Sequence, residues 1–308
     1  MLTLLSVGAQ AAPSTPFRIE TRYLDQTLTA AQQAIVQRAT QRVAALIRSP
    51  FVPVAVDSPA NACDAGLPKL KEQVAHLILF VKVKDLGEDL YADATPCELH
   101  DDTYLPIYAE LELNSNGLGD LPDEDLTDTI IHETLHALGV GTLWTPDERI
   151  SVSGDSDGKS FIRKAGGQVV YTGPRAVAAY QKLGGHGTAI PLDPDAGHWA
   201  GKTVCSEILS GDAGDFTGLV NPISPITLAA LEDLGYTVNL AAADRYMLPI
   251  KGCDVQSAQV DTSRTASTDQ VFYANCAAVR AAGLAPLKHG QPGYRRALDG
   301  DGDGLACE

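Results

Sequence analysis

Two histidines four residues apart, with a glutamate directly after the first, are the residues of this chain whose chemistry is easiest to infer. Residues 130–141 read I-I-H-E-T-L-H-A-L-G-V-G. Residues four apart in a helix lie one turn above each other, so His132 and His136 can present their imidazoles to one zinc ion. Glu133 lies where it can take a proton from a water that zinc activates. The spacing therefore predicts a zinc site with a general base.

The motif lacks one ligand. A catalytic zinc site normally has three protein ligands and keeps a fourth position for water. In the compact pattern H-E-x-x-H-x-x-G-x-x-H the third ligand would fall at position 142, which here is Thr142. His186 in G-G-H-G and His198 in A-G-H-W both lie in the glycine-rich segment that follows Gly139. Residue chemistry alone leaves both candidates open.

Strands and one long helix are predicted upstream of this motif. Residues 17–24 alternate like a strand, and residues 29–48 repeat apolar positions at helical spacing until a Ser-Pro stop. Residues 75–83 are mostly apolar and predict a buried strand. Residues 104–113 alternate again, and Pro106 favours an edge position there because proline cannot donate to a ladder.

The motif itself is predicted to lie on a helix. Asp120 can cap that helix, with Pro122 in its first turn. Apolar residues on one side of the motif give the helix a face to bury. Two further helices are expected, one after Pro174 and one after Ser224 that stops at Gly235. The segment from Gly141 to Gly201 is rich in Gly, Pro and Asp, which predicts turns and loops around the first of these helices.

Composition limits the expected partners. The formal charge is −16, from 23 basic and 39 acidic residues. This acidity, without any basic run, argues against nucleic acid as a partner, because phosphate binding needs clustered Lys and Arg. No stretch approaches the roughly 20 apolar residues that a bilayer-spanning helix requires. We therefore expect a protein that does not span a membrane.

Cysteine usage and the N-terminus predict export. An even number of cysteines without C-x-x-C spacing predicts disulfides in an oxidising compartment. Residues 1–11 combine a short apolar run with a small-x-small site and are predicted to be a weak or truncated signal peptide. We therefore expect a secreted, extracellular or cell-surface protein. The six cysteines are Cys63, Cys97, Cys205, Cys253, Cys276 and Cys307.

Four motifs resemble the leishmanolysin-like family of metzincin zinc peptidases, in which a long insertion separates the glycine from the third histidine. The resemblance extends from about Phe17 to Leu240. It implies an α+β fold with a twisted mixed sheet and an active-site helix. The motifs are H-E-T-L-H-A-L-G at 132–139, G-H-W at 197–199, S-E-I-L-S-G at 206–211 and S-P-I-T-L-A-A-L-E-D-L-G-Y at 224–236.

This resemblance implies roles for particular residues. His198 would be the third zinc ligand beside the two histidines of the motif, and Glu133 the general base of peptide hydrolysis. A peptide substrate would lie along the edge strand predicted at 104–113, adding a strand through main-chain hydrogen bonds. Leu209 occupies the position of the methionine that lies beneath the metal in metzincins. Leu and Met have similar volumes, so we expect the floor of the site to survive this change.

The C-terminus carries a second candidate metal site. Residues 299–308 read D-G-D-G-D-G-L-A-C-E. Acidic residues at the first, third and fifth positions, followed by a glycine, match the front half of an EF-hand loop, where side-chain oxygens converge on calcium. Glu308 stands at position ten of this loop, whereas an EF-hand closes with glutamate at position twelve. The loop is therefore shortened.

Residues 272–308 resemble the excalibur domain, a small extracellular calcium-binding module of bacterial surface and secreted proteins. The resemblance implies a disulfide between Cys276 and Cys307. A domain of about 40 residues has too little core to be stable without such staples. The Ca²⁺ ligands that the resemblance implies are Asp299, Asp301, Asp303 and Glu308.

These motifs divide the chain into segments. Proximity in sequence predicts that Cys63 pairs with Cys97 and Cys205 with Cys253. The predicted segments are the signal peptide at 1–11, a metzincin-like zinc peptidase domain at 12–253, a polar linker at 254–270 and an excalibur-like calcium-binding domain at 271–308.

The expected fold class is α+β, with a small disulfide-stapled domain at the C-terminus. The expected function is a secreted zinc-dependent endopeptidase that acts on protein or peptide substrates, with catalytic Zn²⁺ and with Ca²⁺ in the C-terminal domain. Association with a cell surface through that domain is a further expectation. Two alternatives stay open: a non-catalytic, calcium-dependent surface or adhesion protein on a peptidase fold, and a zinc hydrolase with a non-peptide substrate.

Overall fold

The computed structural model of the chain describes residues 16–87, 90–119, 121–211 and 221–249, together with parts of 276–308. The described residues form a mixed α+β fold with several sheets, as predicted. The strands are β1 Ile19–Tyr23, β2 Val54–Ser58, β3 Leu70–Val74, β4 Leu77–Lys84, β5 Ala92–Leu99, β6 Pro106–Asn114, β7 Ile162–Ala165, β8 Gln168–Tyr171, β9 Ile190–Pro191, β10 Leu287–Lys288 and β11 Leu305–Ala306. The helices are α1 Ala30–Leu46, α2 Asp123–Ala137, α3 Pro146–Ser153, α4 Pro174–Lys182, α5 Gly201–Val204, α6 Pro225–Leu234 and α7 Cys276–Ala281, with a 3₁₀ turn at Leu240–Ala242.

The largest sheet has the strand order β1, β4, β6, β5. β1 pairs with β4 and β4 with β6 in parallel, whereas β5 pairs antiparallel with β6. The prediction that the strand at 104–113 lies at an edge is wrong, because β6 has a neighbour on each side and is buried along its whole length. Pro106 is the first residue of β6, a position at which a strand tolerates proline. The edge strand next to β6 is β5.

The predicted strands at 17–24 and 75–83 are β1 and β4, each slightly shorter than expected. β4 begins at Leu77 because the two preceding residues form the turn that follows β3. His76 lies in this turn, where its Nε2 atom hydrogen-bonds to the carboxylate of Glu20. β2 and β3 pair as an antiparallel hairpin. This hairpin was not foreseen from the sequence.

Helix α1 confirms the helix predicted at 29–48. Thr29 is the N-cap, and its side chain and that of Gln32 form a capping box. Apolar side chains three and four residues apart, among them Val36, Ala39 and Val43, are buried. α1 packs against α2. The long first helix therefore supports the helix that carries the histidine motif.

Helix α2 carries the histidine motif, as predicted. Its N-cap is Pro122, and not the predicted Asp120, which lies outside the described residues. The first turn contains three consecutive acidic residues, which stabilise the positive end of the helix without a side-chain cap. The helices predicted after Pro174 and Ser224 are α4 and α6, and the Ser224 side chain caps α6.

The hydrophobic core of the described residues falls into two clusters. The larger cluster joins the four-stranded sheet to α1, α2, α4 and α6. The smaller cluster contains residues of the C-terminal segment only. The predicted linker at 254–270 and the predicted signal peptide at 1–11 lie outside the described residues, so the domain boundaries stay predictions. The members of the smaller cluster are Val279, Leu287, Leu298, Ala306 and Cys307.

Two of the predicted disulfides are present. Cys63 bonds to Cys97, with 5.2 Å between the Cα atoms, and Cys276 bonds to Cys307, with 4.9 Å between the Cα atoms. Cys205 is also disulfide-bonded. Its predicted partner at position 253 lies outside the described residues. Within the described ranges, no helix combines the length and the apolar character needed to cross a bilayer.

Candidate metal centre and catalytic site

Three histidine side chains converge near the C-terminal end of α2. The Nε2 atoms of His132 and His136 are 2.9 Å apart. The Nε2 atom of His198, from the loop after β9, is 3.2 Å from that of His132 and 3.1 Å from that of His136. His186, the other candidate, is exposed and is not part of this cluster. The structure thus brings His198 to the two histidines of the motif.

Each of these histidines faces a hydrogen-bond acceptor with its other ring nitrogen. The Nδ1 atoms of the two α2 histidines each lie 2.7 Å from a backbone carbonyl oxygen, that of Ile208 and that of Val140. Nδ1 of His198 lies 2.8 Å from a carboxylate oxygen of Asp195. Carbonyl and carboxylate oxygens accept hydrogen bonds, so each neutral ring carries its proton on Nδ1. The three Nε2 lone pairs therefore face one another with no proton between them.

This donor set fits a zinc ion. Three nitrogen lone pairs that face one another repel unless a cation lies between them. Nitrogen ligands at about 2.0–2.1 Å from a tetrahedral zinc ion are about 3.3 Å apart, close to the separations of 2.9–3.2 Å. Burial lowers the pKa of His132 to about 4 and that of His136 well below its usual range. Both rings are therefore in the neutral form that binds metal.

Glu133, the predicted general base, lies between the two α2 histidines in sequence and is buried. Burial, with a smaller contribution from the Asp93 carboxylate, raises the pKa of Glu133 to about 8. A cation held by the histidines would lower this pKa, because a nearby positive charge favours the carboxylate. Asp93 belongs to β5, so its influence also indicates that the edge strand lies beside the site.

A glycine turn allows the loop with the third histidine to approach α2. Gly139 and Gly141 have φ angles of +98° and +81°, which glycine adopts without steric cost. A Cβ atom on Gly141 would lie 2.2 Å from the carbonyl oxygen of Gly197 and 3.0 Å from the ring of the second histidine. Thr142 donates its hydroxyl to the carbonyl of the same histidine. A side chain at position 141 would therefore push the loop away from the helix.

Hydrogen bonds within its own loop fix the third histidine. The backbone N–H of Asp193 donates to the carbonyl of His198, and that of Ala196 donates to the carbonyl of Asp193. Ala196 has a φ of +66°, which is uncommon for a residue with a side chain. The hydrogen bond from His198 lowers the pKa of the Asp195 carboxyl. Asp195 thus orients the ring.

Sequence reasoning missed the residues that orient the ligands. A histidine that binds metal almost always donates its other N–H to a carboxylate, a carbonyl or a water. Asp195 lies three residues before His198, so a search for such partners could have found it. No local signal could have found the carbonyls of Val140 and Ile208, because every residue has a carbonyl and only the fold selects these two.

A second group of potential ligands lies beside the Cys63–Cys97 disulfide. Asp64, Glu110 and Glu112 bring carboxylate oxygens close together and line a cavity of about 260 Å³. The Nζ atom of Lys82 is within 2.6–2.9 Å of all three carboxylates. This ammonium pairs with each of the three carboxylates, and Lys84 adds a second ammonium 2.8 Å from Glu112, so we interpret the group as a network of ion pairs.

The predicted calcium ligands lie at the end of the chain. Three of them, at positions 299, 301 and 303, lie outside the described residues. Glu308 is exposed, and its backbone carbonyl accepts a hydrogen bond from Arg280. The prediction that these residues bind calcium therefore rests on the sequence of this segment.

Comparisons with known proteins support calcium binding and a likeness to a metallopeptidase. Residues 273–308 match the family model of the Excalibur calcium-binding domain, so the C-terminus carries such a domain. The ciliated left-right organizer metallopeptidase of Mus musculus is 30% identical to the chain over 235 residues. The match covers 66% of this chain and 33% of the mouse protein. The chain therefore spans about a third of the length of this relative.

Proposed function

We propose that the chain is a secreted, zinc-dependent endopeptidase of the leishmanolysin-like metzincin type. The observation that carries this proposal is the convergence of three histidine Nε2 atoms beside a buried glutamate. The similarity to a metallopeptidase supports peptide bonds as the substrate. Disulfides, which persist in oxidising compartments, and the Excalibur match support a location outside the cell.

In this proposal His132, His136 and His198 hold the zinc ion. A zinc ion held there would supply Lewis acidity, which would lower the pKa of water to about 7 and polarise a peptide carbonyl. Glu133 takes the proton of the attacking water and returns it to the leaving amine. The acceptors on each Nδ1 keep the ligand rings in one tautomer and one orientation. The chain's own residues therefore position the metal and move the proton.

We further propose that the peptide substrate pairs with the outer edge of β5, and not with β6. The carbonyl of Tyr91 accepts from the N–H of Asn114 in the neighbouring strand. Backbone groups alternate in direction along a strand, so Ala92 and Ala94 direct theirs away from β6. Pro96, which has no N–H, fits the same outward register. A peptide could add here as a further strand, with its backbone extended past the site.

The C-terminal domain is proposed to hold calcium separately from this centre. Its ligands would be the acidic residues of the shortened loop, and a linker at 254–270 would join it to a peptidase domain at 12–253. Cell-surface association would be the role of this domain. The proposed calcium ligands are Asp299, Asp301, Asp303 and Glu308.

Cleavage of casein, measured together with zinc content, tests the proposed activity. The parent protein should contain zinc, and chelation should abolish cleavage until zinc is added back. Glu133→Gln keeps the shape of the side chain but cannot accept the proton, so zinc should remain and kcat should fall by about 10²–10⁴-fold. Cleavage by this variant at the parent rate would remove Glu133 from the mechanism. Cleavage that survives full chelation would show that the reaction does not need a metal ion.

A non-catalytic, calcium-dependent surface protein is the second candidate, and the Excalibur match favours it. It predicts calcium-dependent retention on cells by the parent protein and no cleavage of any protein substrate. Under this alternative Glu133→Gln would behave like the parent in every assay. The casein experiment therefore separates the two candidates.

A further inference from the structure

We infer that Glu207 is a positioning residue of the metal centre, whose single buried carboxylate holds the supports of two of the three histidine ligands. This inference rests on the proposed function and extends it. Glu207 belongs to the S-E-I-L-S-G stretch between α5 and α6 and is 1% exposed. Its carboxylate acts on the ligands through other residues.

Three donors surround the Glu207 carboxylate. Oε2 accepts the backbone N–H of Leu209 at 2.7 Å. Oε1 accepts the backbone N–H of Ser224 at 3.1 Å and the hydroxyl of Thr227 at 2.6 Å. Ser224 is the N-cap of α6, whose positive end favours a negative charge. The carboxylate thereby joins the loop at 207–210 to the start of α6.

The first link runs to His132. The bond to Leu209 closes a tight loop around Ile208, and the carbonyl of Ile208 is the acceptor for Nδ1 of His132 at 2.7 Å. The Ile208 N–H is bonded to the carbonyl of Pro222. Displacement of this loop would therefore move the atom that orients the first ligand.

The second link runs to His198 through its neighbour Trp199. The indole N–H of Trp199 donates to the Thr227 hydroxyl at 2.9 Å, and that hydroxyl donates to Glu207. The backbone N–H of Trp199 donates to the carbonyl of Leu209, also at 2.9 Å. Two independent contacts thus connect Trp199, which is fully buried, to the same anchor.

A glutamine cannot reproduce this arrangement. Its amide has one acceptor oxygen and one NH₂ donor, whereas the site presents donors to both carboxylate oxygens. If the NH₂ faces Leu209, two donors oppose each other and the loop must move. If it faces Thr227 and Ser224, a buried N–H loses its acceptor. Either orientation disturbs a support of the ligands, and loss of such a support typically weakens metal binding by about 10–100-fold.

Zinc affinity measured against a competing chelator tests the inference in the full-length chain. Glu207→Gln should weaken zinc binding by about 10–100-fold and shift the visible absorption bands of the Co²⁺-substituted protein. Thr227→Val removes the hydroxyl that joins Trp199 to Glu207 and leaves the bonds of Glu207 to Leu209 and Ser224, so it should weaken zinc binding less. Glu110→Gln and Thr40→Val make the same changes at a buried carboxyl and a buried threonine outside the centre. Both controls should leave zinc affinity and the Co²⁺ spectrum unchanged.

The outcomes separate this inference from the proposed function. Zinc binding by Glu207→Gln within twofold of the parent, with an unchanged Co²⁺ spectrum, overturns the role of Glu207 even if the parent is an active peptidase. If Glu207→Gln does not fold, Thr227→Val takes its place. Zinc binding by that variant within twofold of the parent, with an unchanged Co²⁺ spectrum, then overturns the role of Glu207. A parent that binds zinc but cleaves no protein overturns the proposed peptidase and leaves the affinity comparison intact. A parent that binds no zinc overturns both.

Discussion

The direction of each imidazole in the proposed zinc site is set by an atom outside the H-E-x-x-H motif. His132 and His136 face carbonyls of other residues, and His198 faces a carboxylate. These acceptors place every ring proton on Nδ1 and leave every Nε2 free. The motif therefore supplies two of the proposed ligands, while residues distant in sequence supply the third proposed ligand and complete the orientation.

Asp195 is the support that can be changed with least disturbance, because its side chain is 58% exposed. Asp195→Ala removes the acceptor for Nδ1 of His198, and we expect zinc affinity to fall by about 10–100-fold. Asp195→Asn keeps an oxygen acceptor without the charge, so it should lose less zinc affinity than Asp195→Ala. Competition titration with a chelator measures the zinc affinity of both variants. Equal affinity of Asp195→Ala and the parent would show that Asp195 does not orient the ligand.

At this scale the sequence predicts the motif well and its supports poorly. His132, Glu133 and His136 can be read from their spacing alone. The choice of His198 over His186 needed a family resemblance, because both lie in glycine-rich loops. Glu207 lies in the S-E-I-L-S-G motif, but its role carried no signal, since that role depends on donors that only the folded chain brings together.

At the scale of elements, the turn after α2 determines how closely the loop with His198, the third proposed ligand, can approach. Gly141 and Gly154 have the same φ of +81°, but only at Gly141 would a Cβ atom meet the backbone. Gly154→Ala should cost about 1 kcal/mol of unfolding free energy and leave zinc affinity unchanged. Gly141→Ala should cost more and also weaken zinc binding, because the carbonyl of Gly197 must move.

Urea unfolding and zinc titration of the two glycine variants check this prediction. The matched φ angles cancel the backbone cost, so the difference between the variants reports the clash alone. If Gly141→Ala and Gly154→Ala behaved alike in both measurements, close approach of the two loops would not matter for the site.

A buried carboxyl in helix α2, that of Asp128, leads us to expect that the stability of the fold depends on pH. Burial raises the pKa of Asp128 to about 6, although hydrogen bonds from Asn221 oppose the shift. A carboxyl whose pKa is higher in the folded chain stabilises the fold at low pH, and this contribution is lost as pH rises from about 4 to about 6. Asp128→Asn has no such carboxyl and should not show this loss. The change in unfolding free energy from pH 4 to pH 7 should therefore be about 1–2 kcal/mol more favourable to the folded state in the variant than in the parent.

Urea unfolding of metal-free parent and variant at the two pH values measures this difference. The other titratable groups are common to both proteins and cancel in the comparison. Asp123→Asn, an exposed change in the first turn of the same helix, is the control. A stability difference between pH 4 and pH 7 that is the same in Asp128→Asn and the parent would contradict the prediction.

Helices were predicted more reliably than strand order. The helices after Thr29, Pro174 and Ser224 begin where capping residues and prolines indicate. The edge prediction for residues 104–113 was wrong, because proline at the start of a strand and proline at an edge look alike in a sequence. Strand order depends on pairing between distant segments, and periodicity does not encode it.

At the scale of the whole molecule, the described residues contain two separate hydrophobic clusters, and the smaller is stapled by Cys276–Cys307. The Excalibur match covers this C-terminal segment. The tail could be predicted from sequence because its cysteines and acidic loop are local features. Its relation to the larger part could not be predicted in this way, because the segment predicted to be a polar linker, at 254–270, has no sequence pattern that fixes a geometry.

Zinc content after exhaustive dialysis of the parent, His198→Ala and His186→Ala tests the central claim most directly. A site of three histidines predicts about one zinc ion per chain in the parent and in His186→Ala. His198→Ala should lose nearly all its zinc, because two histidines alone hold zinc weakly. Zinc retained by His198→Ala, or lost from His186→Ala, would contradict the account.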